Sequence, residues 1–194
     1  MSLARALRSN KTIRSIGFDD EPFERGEAES IGIAGVVCKE TRFDGMVWGQ
    51  VEPDGWDATD EVCRLLEGGK FLQQLHVVLL DGIAFGGFNV IDIAELSDRL
   101  ALPCIAVTRQ PPDFEAIEAA LQHLDAPEKR LATIHRAGDV QPATHAHFQA
   151  HGCSIADARK VVDKLTVVGH IPEPIRIAHL VATAVSTGES GRRA

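Results

Sequence analysis

No two of the four cysteines, Cys38, Cys63, Cys104 and Cys153, stand as a C-x-x-C pair. That leaves no cysteine framework for a zinc site or a disulfide scaffold. Three of the four lie inside apolar or helical patterns, so they read as buried free thiols in a reducing compartment. Long hydrophobic runs are missing too. Every apolar stretch is far short of a membrane span, and no N-terminal stretch combines basic, apolar and cleavage regions. The chain is therefore expected to be soluble and cytoplasmic, with no membrane partner. Basic excess is also lacking: the formal net charge is −8. This counts against tight, nonspecific nucleic-acid binding, which relies on a basic surface. It does not exclude a nuclease, because metal-binding carboxylates themselves contribute negative charge. There is no internal repeat and no low-complexity linker, and 194 residues suit one domain with a sizeable core.

What is present has a definite order. Residues 1–12 carry Arg5, Arg8 and Lys11 and read as a flexible lead-in or a short helix, and the domain proper runs over 13–186. Strands are expected at Ile13–Phe18, Ile31–Cys38, Phe43–Val51, His76–Leu80 and Pro103–Val107. Helices are expected from Asp57 to Leu66, about Val90 to Leu100, Asp113 to His123, Glu128 to Arg136, Ser154 to Leu165 and Pro174 to Val185. The tail, 187–194, is small and polar and reads as mobile. Three strands joined by short turns imply an antiparallel meander, and the helical crossovers that follow imply parallel additions. This is the order of a ribonuclease H-like α/β mixed sheet flanked by helices; a doubly wound fold would begin β-α-β.

Chemistry gathers at two strand ends. Asp81 closes the apolar run His76-Val77-Val78-Leu79-Leu80 and is followed by Gly82. A run without alternation reads as a strand buried on both faces, and ligands of α/β folds sit beyond the carboxyl ends of such strands. Asp19 ends the first strand and is followed by Asp20 and Glu21. Carboxylates at neighbouring strand ends are able to share a divalent ion. The plainer alternative is that Asp81 opens a loop or caps a helix. Asp20 and Glu21 read as solvated turn charges, with a supporting metal role as the alternative.

Three blocks of this sequence together resemble one family. They are Gly17-Phe18-Asp19-Asp20-Glu21-Pro22-Phe23, the stretch Leu80-Asp81-Gly82 through Phe88-Asn89, and Gly169-His170-Ile171-Pro172-Glu173-Pro174 through His179. They look like the archaeal DUF99 family (UPF0215, endonuclease dU), a distant relative of endonuclease V, and the resemblance runs from about Ile13 to Ser190. It implies a ribonuclease H-like fold and Mg²⁺-dependent (Mn²⁺ in place of it) cleavage of DNA containing a deaminated base, uracil being the expected one. Asp19 matches the first-strand aspartate of endonuclease V and Asp81 the aspartate of its Val-Asp-Gly block. Asp60 aligns with its third metal-binding acid, a glutamate, with Glu61 and Asp57 as near rivals. Arg109 falls where endonuclease V has a lysine, and a permanent cation there suits a phosphate oxygen.

The sequence also departs from endonuclease V. The Pro-Tyr-Ile-Pro wedge is missing, and Glu52-Pro53-Asp54-Gly55-Trp56 lies in that stretch. Ile83, Phe85, Gly86 and Gly87 replace the histidines after Asp-Gly. Base recognition is therefore expected to differ, and inosine specificity is not carried over. Two readings of Phe85-Gly86-Gly87-Phe88-Asn89 stand side by side: a phosphate cradle of backbone amides, or a tight turn packing both rings. Phe88 and Trp56 are open to base stacking or, more commonly, to packing. Arg176 and His179 fall on one helix face, either for binding or as a structural lid over the sheet. His145, His147 and His151 match no standard zinc spacing and read as solvated loop residues. The expected function is a Mg²⁺-dependent endonuclease; the alternative is a noncatalytic nucleic-acid-binding or regulatory module of the same fold.

Overall fold

A computed structural model of the chain describes residues 2–26 and 28–191. The first half runs α1 (Leu3–Arg8), β1 (Arg14–Asp20), β2 (Ile31–Lys39), β3 (Arg42–Val51), α2 (Ala58–Leu66), β4 (Val77–Asp81) and the short strands β5 (Ala84–Phe85) and β6 (Asn89–Val90). Then come α3 (Ile93–Leu100), β7 (Cys104–Thr108), α4 (Phe114–Leu121), α5 (Pro127–Arg136), β8 (Gln141–Pro142), β9 (His147–His151), α6 (Ile155–Leu165) and α7 (Glu173–Thr187). Seven strands form one mixed sheet in the order β3-β2-β1-β4-β7-β9-β8. The β1–β3 meander is antiparallel, β4 and β7 join parallel, and β9 closes antiparallel on β7.

The sheet is covered on both faces because its central strands carry buried residues on both sides. Successive side chains of a strand point to opposite faces. Ile16, Phe18, Val78 and Leu80 therefore pack with Val62, Leu66, Leu96 and Leu100 of α2 and α3. Val77, Leu79, Ile105 and Val107 pack the other way, with Val161, Val162 and Leu165 of α6 and Ile175 of α7. The meander is covered by α7, whose Ala178 and Ala182 meet Ala34, Val36 and Cys38 of β2. Small residues on both sides let helix and strand approach closely.

Helix starts follow the polar residues read from the sequence. Asp92, Asp113 and Ser154 each accept a hydrogen bond from a first-turn amide with the side chain. Of the two readings for residues 1–12, the helix is the one found, with Leu3 and Ala6 buried. At the other end α7 runs to Thr187 and is stopped by Gly188 at φ 87°, a conformation glycine adopts without steric cost. Residues 192–194 of the expected tail lie outside the described residues.

Two expectations are corrected here. The segment after Asp81 forms the β5–β6 hairpin before α3 begins at Ile93. The turn of that hairpin needs positive φ at both Gly86 (54°) and Gly87 (91°), which is why a glycine pair sits there. The histidine-bearing segment, read as loop, contributes β9: His147 and His151 lie in a strand paired with β7. Its composition conceals a strand whose Phe148 is buried in the core.

Candidate metal centre

Strand pairing alone brings the two strand-end aspartates together. In the parallel register Phe18 sits opposite Leu80, so Asp19 and Asp81 stand side by side one residue further on. By alternation both point to the face that α7 covers. The helix adds His179, whose Nδ1 lies 2.8 Å from Asp19 Oδ2. Ligand atoms of Asp19, Asp81 and His179 all lie within 4.8 Å of one another, the one such group of three among the described residues.

Gly17 makes that meeting possible. A Cβ at this position would lie 2.8 Å from Pro174 Cβ and nearer still to the backbone of Pro174 and Ile175. The first turn of α7 therefore rests directly on the β1 backbone. From that contact, two residues along the strand advance about 6.6 Å and four residues along the helix about 6 Å. The two steps nearly match, so the Gly17–Ile175 contact sets His179 over Asp19.

The electrostatics are those of crowded acids. Burial pushes the Asp19 carboxyl up to about 7, with Asp81 and Asp20 adding to the rise and the hydrogen bond from His179 opposing it. Burial also raises Asp81, against the pull of Arg109, whose Nη1 lies 3.4 Å from Asp81 Oδ2. The His179 imidazole is held above its ordinary value by Asp19. Asp20 lines the same cleft and is raised by burial, while its Oδ2 accepts the Gly86 amide at 2.6 Å. Two buried carboxylates and an imidazole form a donor set that suits a divalent cation, whose charge would offset the burial that now raises the proton affinity of both carboxylates. The residues present fit such an ion.

Asp60 is not brought into this group. It lies on α2, which packs against the opposite face of the sheet, and its largely exposed carboxylate pairs with Arg99 at 2.5 Å. The rivals are engaged elsewhere. Glu61 binds Arg64 and the Gln50 amide. Asp57 accepts from the Glu52 amide and the Asn89 side chain. The third position is filled by His179 from the far end of the chain. Its same-face spacing with Arg176 was the one signal for it in the sequence, and of that pair Arg176 turns away to a two-point ion pair with Glu173.

Two amides around the glycine pair are engaged within the protein. The Gly86 amide is taken by Asp20, and the Phe88 amide by Asp54 at 2.7 Å. Trp56 is also committed: its ring lies between Lys129 (4.3 Å) and Arg130 (4.0 Å), and its indole N–H donates to Asp125. Phe88 stays half-buried, with Arg25 over its ring. Beneath this corner Arg130 is fully buried and donates to the carbonyls of Asp54, Gly55, Phe88 and Asp125.

Comparison with known proteins bears on the family and the fold. A family model described as Endonuclease dU matches residues 11–186. A UPF0215 protein of Methanothermobacter thermautotrophicus is 41% identical over 183 residues, covering 92% of this chain and 90% of that protein. The crystal structure of a protein of unknown function from Archaeoglobus fulgidus superposes with a TM-score of 0.84 at 31% identity, over 89% of this chain and 98% of that one. Endonuclease V of Ciona intestinalis, solved with a 24mer DNA containing an inosine followed by a ribo-adenosine, gives a TM-score of 0.55 at 20% identity, over 87% and 84%. At that identity the likeness shows the shared ribonuclease H-like fold.

Proposed function

The chain belongs to the endonuclease dU family, and from that footing we propose that it is a divalent-metal-dependent endonuclease that cleaves DNA beside a deaminated base, uracil foremost. The observation that carries this reading is the convergence of Asp19, Asp81 and His179 at the carboxyl ends of β1 and β4, where α7 closes over them. Asp19 and Asp81 would hold Mg²⁺ or Mn²⁺, with His179 completing the set. A bound ion there supplies positive charge against the phosphodiester oxygens and acidifies a water for hydrolysis.

The chain's own groups do the rest. Arg109, partly exposed at the edge of the cluster, is placed to fix a phosphate oxygen with a charge that does not titrate. It shares a second recess with His145, His147 and His170, giving the acidic protein a local strip of donors along which a phosphate backbone would lie. Asp20 holds the β5–β6 turn to the strand end, fixing the wall of the cleft. Burial of Asp19 and Asp81 keeps the reacting phosphate in surroundings where charges act strongly.

The test uses labelled oligonucleotides carrying uracil, inosine or no damage, incubated with the protein and Mg²⁺ or Mn²⁺. Cleavage is expected at the deaminated base, lost in excess EDTA and abolished by Asp19→Asn or Asp81→Asn. Melting temperatures of these variants are expected to equal or exceed the wild type, because each removes a repelling charge. Full cleavage by the double variant, or in EDTA, overturns the metal-site reading.

A further inference from the structure

Beyond the cluster, a second recess of about 220 Å³ opens within one residue of it along two strands. Gly82, which follows Asp81, and Thr108, which precedes Arg109, both line it. Its remaining walls are apolar and come from three places: Ile83 and Phe88 of the hairpin segment, Phe114 and Ile117 of α4, and Ile134 of α5. It is smaller than the pockets that take drug-sized ligands, and suits one planar ring pressed between aromatic and aliphatic side chains.

Two polar side chains, Thr108 and Gln149, interrupt this lining, and Gln149 is the one held in a fixed orientation. Gln149 of β9 is only 5% exposed. Its Nε2 donates to the Gly138 carbonyl at 2.6 Å. That bond fixes the amide's orientation, since only the NH₂ end is able to donate to a carbonyl. Among the described residues the other end, Oε1, accepts no hydrogen bond, and it is not sealed from the recess. The recess thus offers a fixed, unoccupied amide acceptor in a largely apolar setting, with the Thr108 hydroxyl as the other polar side chain of its lining.

Deamination of cytosine and of adenine has one chemical consequence in common. It turns the ring nitrogen beside the lost amine from an acceptor into an N–H donor: N3 of cytosine becomes N3–H of uracil, and N1 of adenine becomes N1–H of hypoxanthine. We propose that this recess receives the deaminated base after it leaves the stack, and that Gln149 Oε1 accepts the ring N–H that deamination creates. A cytosine or adenine in the same pose sets a lone pair against a lone pair. Thymine carries the same N–H as uracil, so Gln149 does not separate those two. That separation rests on thymine's methyl group and on the low cost of extruding a mispaired base. This inference rests on the nuclease reading above and names the specificity subsite of that same centre.

The experiment measures equilibrium binding and cleavage together. Fluorescence anisotropy in Ca²⁺ compares oligonucleotides with one uracil or one cytosine opposite guanine, and Mg²⁺ assays follow cleavage of the same strands. Wild type is expected to prefer uracil by about tenfold to a hundredfold, the scale of one unmatched buried polar group. Gln149→Leu should erase that preference, weakening binding of the uracil strand and removing the lone-pair clash that disfavours the cytosine strand. Ile117→Trp, which fills the recess, should lower uracil cleavage by a similar factor with no fall in melting temperature. If wild type cuts uracil DNA and both folded variants match it, the subsite is refuted and the nuclease reading stands. If the folded wild type neither cuts nor prefers uracil DNA, the nuclease reading fails first and the subsite with it.

Discussion

Gly17→Ala tests the assembly of the centre without touching any of its ligands. The added methyl would sit 2.8 Å from Pro174 Cβ and closer to the α7 backbone, where no side-chain rotation relieves it. Ordinary carbon contacts need about 3.5–4.0 Å, so α7 must lift by something on the order of 1 Å. His179 now lies 2.8 Å from Asp19. A shift of that size takes the pair beyond hydrogen-bonding range and spreads the three ligand positions. Overpacking of this kind costs about 1–3 kcal/mol of stability, and a misplacement near 1 Å costs about a hundredfold in rate. The assay is single-turnover cleavage of a uracil oligonucleotide at saturating Mg²⁺, beside thermal melting with and without metal. The metal-induced rise in melting temperature should shrink, which reports the site independently of turnover. Gly45→Ala is the control, since the atoms nearest its methyl belong to the Phe71 side chain rather than to backbone, and it lies away from α7. Wild-type cleavage and wild-type metal stabilisation in Gly17→Ala would refute the claim that this contact sets the centre.

Three further outcomes are expected. Asp60→Asn should leave cleavage within about twofold of wild type, whereas His179→Ala should lower it by at least about tenfold, the scale for losing a group that orients a metal site; kinetics on the two variants would expose a reversed assignment. Arg130→Met removes the donor from four carbonyls, of which the Gly55 one sits in a buried bond, and should cost about 3 kcal/mol, seen as a melting temperature lower by roughly 10 °C. Thiol titration of the native protein should proceed slowly at Cys153, which is partly exposed, and barely at Cys38, Cys63 and Cys104. Burial pushes Cys38 up to about 12, so raising the pH toward 9 should not expose it, while denaturant should release all four.

The sequence was most legible where burial dictated composition. Strands β2, β4 and β7 are built on near-continuous apolar runs, and such runs have few alternatives in a chain of this size. Asp113 and Ser154 marked helix starts because their side chains satisfy specific amides, whereas α3 begins at Ile93, behind Asp92 and past the expected start near Val90. Asp19 and Asp81 stood out because they stand at strand ends. The rest depended on long-range partners. Nothing local distinguishes Asp60 from a ligand; only the packing of α2 on the opposite face removes it. His179 sits 160 residues from its partner in sequence, and its role exists only once α7 lies on Gly17. Strand β9 was hidden by three polar residues in His-Phe-Gln-Ala-His, and its pairing with β7 supplies what local propensity does not.

The corner held by Arg130 bears on how the molecule breathes. Helices α4 and α5 stand on a thin apolar base, with Leu121 the one buried residue of α4 and Arg130, Thr133 and Ile134 those of α5. The guanidinium ties this pair to the Asp54–Gly55 turn and to the hairpin at Phe88. A segment so lightly buried opens at a free energy below that of global unfolding, and it opens as one piece. Amides of α4 and α5 should therefore exchange with solvent well before those of β1, β4 and β7. Such an excursion parts Phe114, Ile117 and Ile134 from Phe88 while the sheet and its aspartates stay in place, so the rate of opening, rather than the strength of any one contact, would set how quickly a ring enters or leaves that side of the molecule.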